Sequence, residues 1–160
     1  MTTLEIGNLR RVVIGADHAG LKLKELLKVC LSDLGCELED LGTHTSESTD
    51  YPDYGAAVGR RVVELQQGGD GEACGVAVCG SGIGISIAAN KVPGVRAALV
   101  SDVTSARLAR QHNDANVICF GERLIGQAVA EEALKMFLDT PFSGGRHAPR
   151  VEKLNALDRR

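Results

Sequence analysis

Short continuous apolar runs alternate along this chain with longer stretches in which apolar residues recur every three or four positions. The first run, Arg11 to Ala16 (RVVIGA), is β-branched and rich enough in valine and isoleucine to predict a strand. From Leu21 to Leu34 the period changes. Leu23, Leu26, Leu27, Cys30, Leu31 and Leu34 form one helical stripe, with Lys22, Lys24, Glu25 and Lys28 mostly off it. Gly35 supplies the stop. Cys36 to Leu41 predicts a more polar strand. A turn-rich stretch from Gly42 to Asp53 follows, then a helix that faces Tyr54, Val58, Val62 and Leu65 inward and ends in Gly68-Gly69-Asp70-Gly71.

Gly75 to Cys79 (GVAVC) is apolar without interruption, as a strand covered on both faces should be. A glycine loop then opens a third helix, which ends near Lys91-Val92-Pro93-Gly94. Val95 to Val100 and Asn116 to Phe120 predict two further strands, and between them Asp102 caps a helix of small residues reaching about Gln111. Residues 125–138 predict a fifth helix carrying Ile125, Ala128, Val129, Ala133, Met136 and Phe137, and the chain turns helical again from about Pro149. Five strands alternating with helices require a parallel sheet covered on both sides. The expected architecture is α/β: a single-domain, three-layer α-β-α sandwich of Rossmann-like type over residues 10–160, with a helical tail. Residues 1–9 read as a flexible leader.

Composition narrows the partners. A chain of 160 residues with 44% hydrophobic and 24% charged residues can bury a real core. The formal net charge of −3 provides no global field for nucleic acid, so an anionic ligand needs a local cluster of donors. No apolar run approaches the ~20 residues of a spanning helix, and the start of the chain lacks the basic-then-apolar layout of a signal peptide. Five cysteines, an odd number without repeated spacing, argue against a disulfide framework and for a reducing cytoplasm.

Ligands of open α/β sheets bind beyond the carboxyl ends of the strands. The residues expected there are Asp17-His18, Gly42-Thr43, Cys79-Gly80-Ser81, Ser101-Asp102 and Gly121-Glu122-Arg123. The most informative is Cys79-Gly80-Ser81-Gly82-Ile83-Gly84, which joins a buried strand directly to a helix. Its glycines let successive N–H groups point into one concavity at a helix amino terminus, a nest suited to a phosphate or an oxyanion. A tight βα turn is the plainer reading. The spacing excludes a dinucleotide fingerprint, which needs glycine at Ile85, and a cysteine-phosphatase loop, which places arginine there. Gly15 and Gly20 have P-loop spacing, but Leu21 follows. The four histidines, His18, His44, His112 and His147, show no metal-ligand spacing. No metal or cofactor is expected.

Cys30, Cys36, Cys74 and Cys119 read as small buried hydrophobes. Cys79 differs, because a helix amino terminus and N–H donors favour a thiolate, which serves as nucleophile or as general base. Arg146 and Arg150, four apart, read either as a phosphate fork or as a solvated basic tail, and His112-Asn113 either as functional or as an ordinary helix end.

Gly15-Ala16-Asp17-His18-Ala19-Gly20, Asp50-Tyr51-Pro52-Asp53, the stretch from Cys79 to Lys91, His112-Asn113-Asp114-Ala115-Asn116 and Gly144-Gly145-Arg146-His147 with Arg150 together resemble the type B ribose-5-phosphate isomerases, grouped with the galactose-6-phosphate isomerase subunits. The match runs in order from about residue 11 to residue 155. The resemblance implies a cofactor-independent interconversion of ribose 5-phosphate and ribulose 5-phosphate through an enediolate. It implies Cys79 as the base between C2 and C1, where other members use Glu, and His112 as the acid that assists ring opening. Ser81 stands where many members carry Thr. Gly80, Gly82, Ile83 and Gly84 would hold the enediolate oxygens, and Asp17, His18, Tyr51, Asn113, Arg123, Arg146 and Arg150 the sugar and its phosphate.

A helix that follows a parallel strand runs back to the amino edge of the sheet, so His112 should lie at the opposite edge from its own Cys79. The expectation is a homodimer with sites at the interface, each combining Cys79 of one chain with His112 of the other. Alternatives are an isomerase of galactose or allose 6-phosphate, a thiol hydrolase or transferase, or a non-catalytic sugar-phosphate-binding protein. His18 and His147 rival His112 for ring opening.

Overall fold

The computed structural model describes residues 10–158; the expected leader, residues 1–9, lies outside the described residues. Five strands, β1 (Arg11–Ala16), β2 (Glu37–Asp40), β3 (Cys74–Cys79), β4 (Ala97–Leu99) and β5 (Val117–Gly121), form one parallel sheet in the order β2-β1-β3-β5-β4. The helices are α1 (Leu21–Asp33), α2 (Tyr51–Gln67), α3 (Ile83–Asn90), α4 (Val103–Asn113), α5 (Gln127–Asp139) and α6 (Ala148–Ala156). The three inner strands are almost wholly buried, which accounts for their unbroken apolar runs. At the edges, β2 and β4 are short and partly exposed.

Two apolar cores flank the sheet. On one face Leu23, Leu27 and Leu31 of α1 meet Ala106 and Ala109 of α4 and Ala130, Ala133, Leu134 and Phe137 of α5 over Ile14, Val76, Ile118 and Phe120. On the other, Val58, Val62 and Leu65 of α2 and Ile85 and Ala89 of α3 cover Val13, Ala77, Val117 and Cys119. Both faces are covered, as the sandwich requires. Gly55 and Gly59, four apart on α2, face α3: a Cβ at Gly55 would lie 2.7 Å from the Ile85 carbonyl, and one at Gly59 2.9 Å from Val95. That smooth stripe lets α3 close on α2 and fixes where the glycine loop begins.

The structure corrects several boundaries. Tyr51, Pro52 and Asp53 belong to α2, because proline without an N–H fits a first helical turn. β4 is confined to Ala97–Leu99; Val95 N–H instead donates to the Val92 carbonyl and Arg96 N–H to the Asn116 side chain. Helix α4 runs two residues further than expected, to Asn113, and stops where Asp114 adopts φ +46°. Asp102 does cap it, accepting the Ser105 N–H at 2.7 Å. On α5 the buried stripe is Ala130, Ala133, Leu134, Phe137 and Leu138, while Val129 is exposed.

Lys24 is the larger surprise. Expected off the apolar face, it is fully buried, with Nζ 2.8 and 2.7 Å from the two carboxylate oxygens of Asp40. Lys28 Nζ adds a contact of 2.8 Å to Asp40, and the Gly42 N–H one of 2.9 Å. Burial alone would raise the Asp40 pKa; the hydrogen bonds from Lys24, Lys28 and Gly42 outweigh it and hold the carboxyl at about 2.

Candidate active site

The chain leaves β1 toward β2 in one direction and reaches β3 on the other side of β1, so the loops after β1 and β3 part. The loop after β1 leads into α1 on one face, and that after β3 into α3 on the other. The crevice between them is the switch point of the sheet. It gathers Asp17, His18, Cys79 and the glycine loop.

Cys79 ends β3 with 4% of its surface exposed, and its Sγ accepts the Gly82 N–H at 3.1 Å. Gly82 holds φ +74°, and a Cβ there would lie 2.5 Å from Leu99 Cδ1 and 2.8 Å from the Gly121 nitrogen. Gly121 is equally constrained, since a Cβ would run into the Ser81 backbone. Glu122 N–H donates to the Cys79 carbonyl (2.9 Å) and Arg123 N–H to that of Gly80 (3.0 Å), so the loop after β5 clasps the glycine loop. The Ser81 hydroxyl accepts the Ile83 N–H at 3.3 Å. Gly84 and Ile85, next in the first turn of α3, lie among the residues whose N–H groups a helix leaves without an intrahelical acceptor. Together the loop presents a thiol, a hydroxyl and backbone donors at one helix amino terminus.

Around that nest, the Arg123 guanidinium lies against Gly80, where a Cβ would be 3.3 Å from Cζ. The Tyr51 ring covers Gly84, where a Cβ would be 2.6 Å from ring atoms. Asp17 is buried and its Oδ1 accepts the N–H groups of Ala19 and Gly20 at 3.0 and 3.1 Å, capping the 3-10 turn that carries His18. His18 Nδ1 accepts the Thr49 N–H at 3.0 Å, and its own N–H donates to Thr49 Oγ1 at 3.1 Å. With Nδ1 an acceptor, the proton of the neutral ring sits on Nε2, which is the nitrogen His18 offers to a ligand. Sequence reasoning missed Thr49: it stands in a turn-rich stretch, and only the fold brings it against a residue 31 positions away.

The other expected residues lie elsewhere. Arg96, just before β4, donates to the carbonyls of Asn113 and Asp114 at 3.1 and 3.0 Å, which ties the end of α4 to the amino edge of the sheet. His112 and Asn113 are therefore at the opposite edge from Cys79, a strand length of about 16 Å along the five residues of β5. The Ser143 N–H donates to the Gln111 carbonyl at 3.1 Å, bringing the turn at residues 145–147 to the same end. There the His147 ring stacks on His112, with centroids 4.3 Å apart and planes 12° from parallel. The His147 pKa is lowered, first by desolvation and then by His112, Arg146 and Arg150 nearby. Arg146 and Arg150 are exposed, Arg146 in the 3-10 turn and Arg150 on α6. Thus Asp17, His18, Tyr51, Cys79, Ser81, the glycines and Arg123 share one edge, and His112, Asn113, Arg146, His147 and Arg150 share the other.

Cavities of about 300 and 430 Å³ open beside Arg10, Arg96 and Arg110 and beneath α6; Cys79 lines neither. Among the described residues no group of three His, Cys, Asp or Glu is placed to hold a metal ion, and no helix is long and apolar enough to cross a membrane. Burial raises the thiols of Cys30, Cys36, Cys74 and Cys119, Cys74 to about 12.

A thiol beside a nest of N–H donors, at the switch point of a doubly wound sheet, defines an α/β scaffold equipped to move a proton next to a stabilised oxyanion. The chain belongs to the ribose/galactose isomerase family, whose model matches residues 12–154. It is 42% identical over 152 residues to ribose-5-phosphate isomerase B of Escherichia coli, covering 95% of this chain and 99% of that one. The structure of the Trypanosoma brucei type B ribose 5-phosphate isomerase is similar at a TM-score of 0.86 and 48% identity, over 94% of this chain and 99% of that one. That of the Mycoplasma genitalium ribose-5-phosphate isomerase B with bound ribulose-5-phosphate gives 0.85 and 36%, over 92% and 95%.

Proposed function

We propose that this chain interconverts ribose 5-phosphate and ribulose 5-phosphate through a cis-enediolate, without a cofactor, as a homodimer in the cytoplasm. The observation that carries the chemistry is Cys79 Sγ held by the Gly82 N–H inside the glycine loop. In the open-chain aldose, the Cys79 thiolate takes the C2 proton. The C–H electron pair forms the C1–C2 double bond, and the negative charge moves to O1. Backbone donors of the glycine loop that are not already bonded to Cys79 Sγ or Ser81 Oγ, those of Gly80 and Gly84 among them, stabilise that charge. The Ser81 hydroxyl hydrogen, free because its oxygen accepts from Ile83, passes a proton between O2 and O1. Cys79 then returns its proton to C1, which completes the ketose.

Ring opening precedes this step. The C1–O4 bond breaks, its electron pair stays on O4 and takes a proton from the His112 imidazolium, and the C1 hydroxyl proton leaves to water. Because His112 and Cys79 lie at opposite edges of one sheet, this role falls to His112 of the partner subunit. Asn113, Arg146 and Arg150 come with it, the arginines toward the phosphate. Ile83, Ile87 and Leu99, exposed by 51%, 55% and 43% around the glycine loop, supply apolar surface for such an interface. His18 Nε2, Asp17, Tyr51 and Arg123 complete the substrate's surroundings.

The test is isomerisation of ribose 5-phosphate in deuterated water by wild type and Cys79→Ala, following ketose formation and deuterium at C1. Loss of both in the variant is expected, by a factor of about 10³ or more. Undiminished activity would refute the assigned base, and turnover of galactose or allose 6-phosphate alone would move the substrate. A monomer with full activity would refute the shared site.

A further inference from the structure

A histidine that transfers protons is normally oriented by a hydrogen bond from its second nitrogen to a carboxylate or carbonyl. Among the described residues of its own chain, what holds the His112 imidazole is not a hydrogen bond. What touches the His112 ring is the His147 ring, nearly parallel at 4.3 Å. The half-buried His112 lies in the last turn of α4, where a side chain without a bonded partner would turn freely about its Cβ–Cγ bond.

The backbone is built to deliver His147 to that place. Gly144 and Gly145 adopt φ +62° and +52°, which L side chains rarely adopt. The Ser143 N–H is anchored on the Gln111 carbonyl, and the His147 N–H closes the turn on the Gly144 carbonyl at 2.9 Å. The charged and titratable groups about His147 are His112 from α4, Arg146 from its own turn and Arg150 from α6. All three are basic, and they push the His147 pKa down after desolvation has done so. Two imidazole rings nearly parallel at this separation attract as other stacked aromatic pairs do.

Resting on the isomerase reading above, we propose that His147 is a positioning residue for ring opening, whose imidazole, stacked on His112, fixes the plane in which His112 meets the sugar ring oxygen. It acts through His112 and exchanges no proton with the substrate. Ring shape is therefore what matters at position 147, and nitrogen chemistry is not.

Ring opening can be separated from proton transfer with the two substrates of one reaction. Ribose 5-phosphate is largely a closed furanose. Ribulose 5-phosphate cannot close one, because its C5 oxygen carries the phosphate, and so its C1 proton exchanges into deuterated water without any ring opening. Wild type, His147→Ala and His147→Phe would be compared in both assays. His147→Ala should lower kcat for ribose 5-phosphate by about ten- to a hundredfold, the penalty for a misplaced catalytic group, with C1 exchange within about twofold of wild type. His147→Phe, which keeps a flat ring and has no nitrogen, should recover isomerisation to within about threefold. Equal impairment of both variants would overturn the proposal in favour of a direct proton-transfer role. Exchange that falls in parallel with isomerisation would overturn it in favour of a general structural role, and an unchanged His147→Ala would leave His147 no role. Wild type that neither isomerises ribose 5-phosphate nor exchanges the C1 proton would overturn the isomerase reading, and this role with it; that outcome is distinguishable from a loss confined to the variants.

Discussion

Replacing Asp40 by Asn should be among the most damaging single changes outside the apolar core. Lys24 Nζ sits 2.7–2.8 Å from both Asp40 oxygens in a fully buried position, while the Asp40 side chain is 14% exposed. Asparagine can still accept the Gly42 N–H, so the change removes the charge and leaves the turn bond in place. The orphaned ammonium of Lys24 keeps only Glu25 at 3.1 Å, whose side chain is 49% exposed and solvent-screened. Breaking one side of a buried pair costs about 3–5 kcal/mol; the remaining Glu25 contact places this case near the lower end. A second route gives a similar figure. Holding the Asp40 carboxyl at about 2, against an ordinary 3.8, corresponds to roughly 2–3 kcal/mol. Because the folded pKa lies below the unfolded one, this stabilisation is complete above the ordinary carboxylate range and is lost as pH falls from about 4 through 2. Urea unfolding of wild type and Asp40→Asn at pH 7, 5, 3 and 2 should show a gap of about 3 kcal/mol that closes in acid. Adding Lys24→Met should recover at least about half of it by removing the orphaned charge. A loss below about 1 kcal/mol, or a gap unchanged down to pH 2, would refute the reasoning.

Two further outcomes follow from the same geometry. Gly121→Ala should reduce kcat/KM by about a hundredfold, because its Cβ would displace the Ser81 backbone and with it the proposed oxyanion donors; near-normal kinetics would remove the glycine loop from the proposed mechanism. Thr49→Val keeps the N–H bonded to His18 Nδ1 but leaves the His18 N–H without its acceptor, a loss of about 1–2 kcal/mol; its KM for ribose 5-phosphate should rise severalfold with kcat little changed, and steady-state kinetics read the split.

The order of strands and helices, the parallel sheet and the carboxyl-edge cluster of Asp17, His18 and Cys79 were legible in the chain itself. Each is carried by local signals: unbroken apolar runs for β1, β3 and β5, the three-to-four period for the helices, and glycines where φ must be positive. Even the separation of His112 from Cys79 follows from the direction a helix takes after a parallel strand. Local pattern could not reveal contacts between residues far apart in the chain. Lys24 read as a solvated lysine because nothing within its own helix announces Asp40, 16 residues away. Thr49 read as turn, and Val129 as core, because burial depends on which element packs opposite. The stack of His147 on His112 joins residues from two elements whose approach is set by the Ser143–Gln111 bond and two positive-φ glycines. Sequence determined which groups reach each edge of the sheet, through periodicity and chain direction. Tertiary structure decided which of them are buried, paired or stacked, because those energies depend on neighbours that only packing supplies.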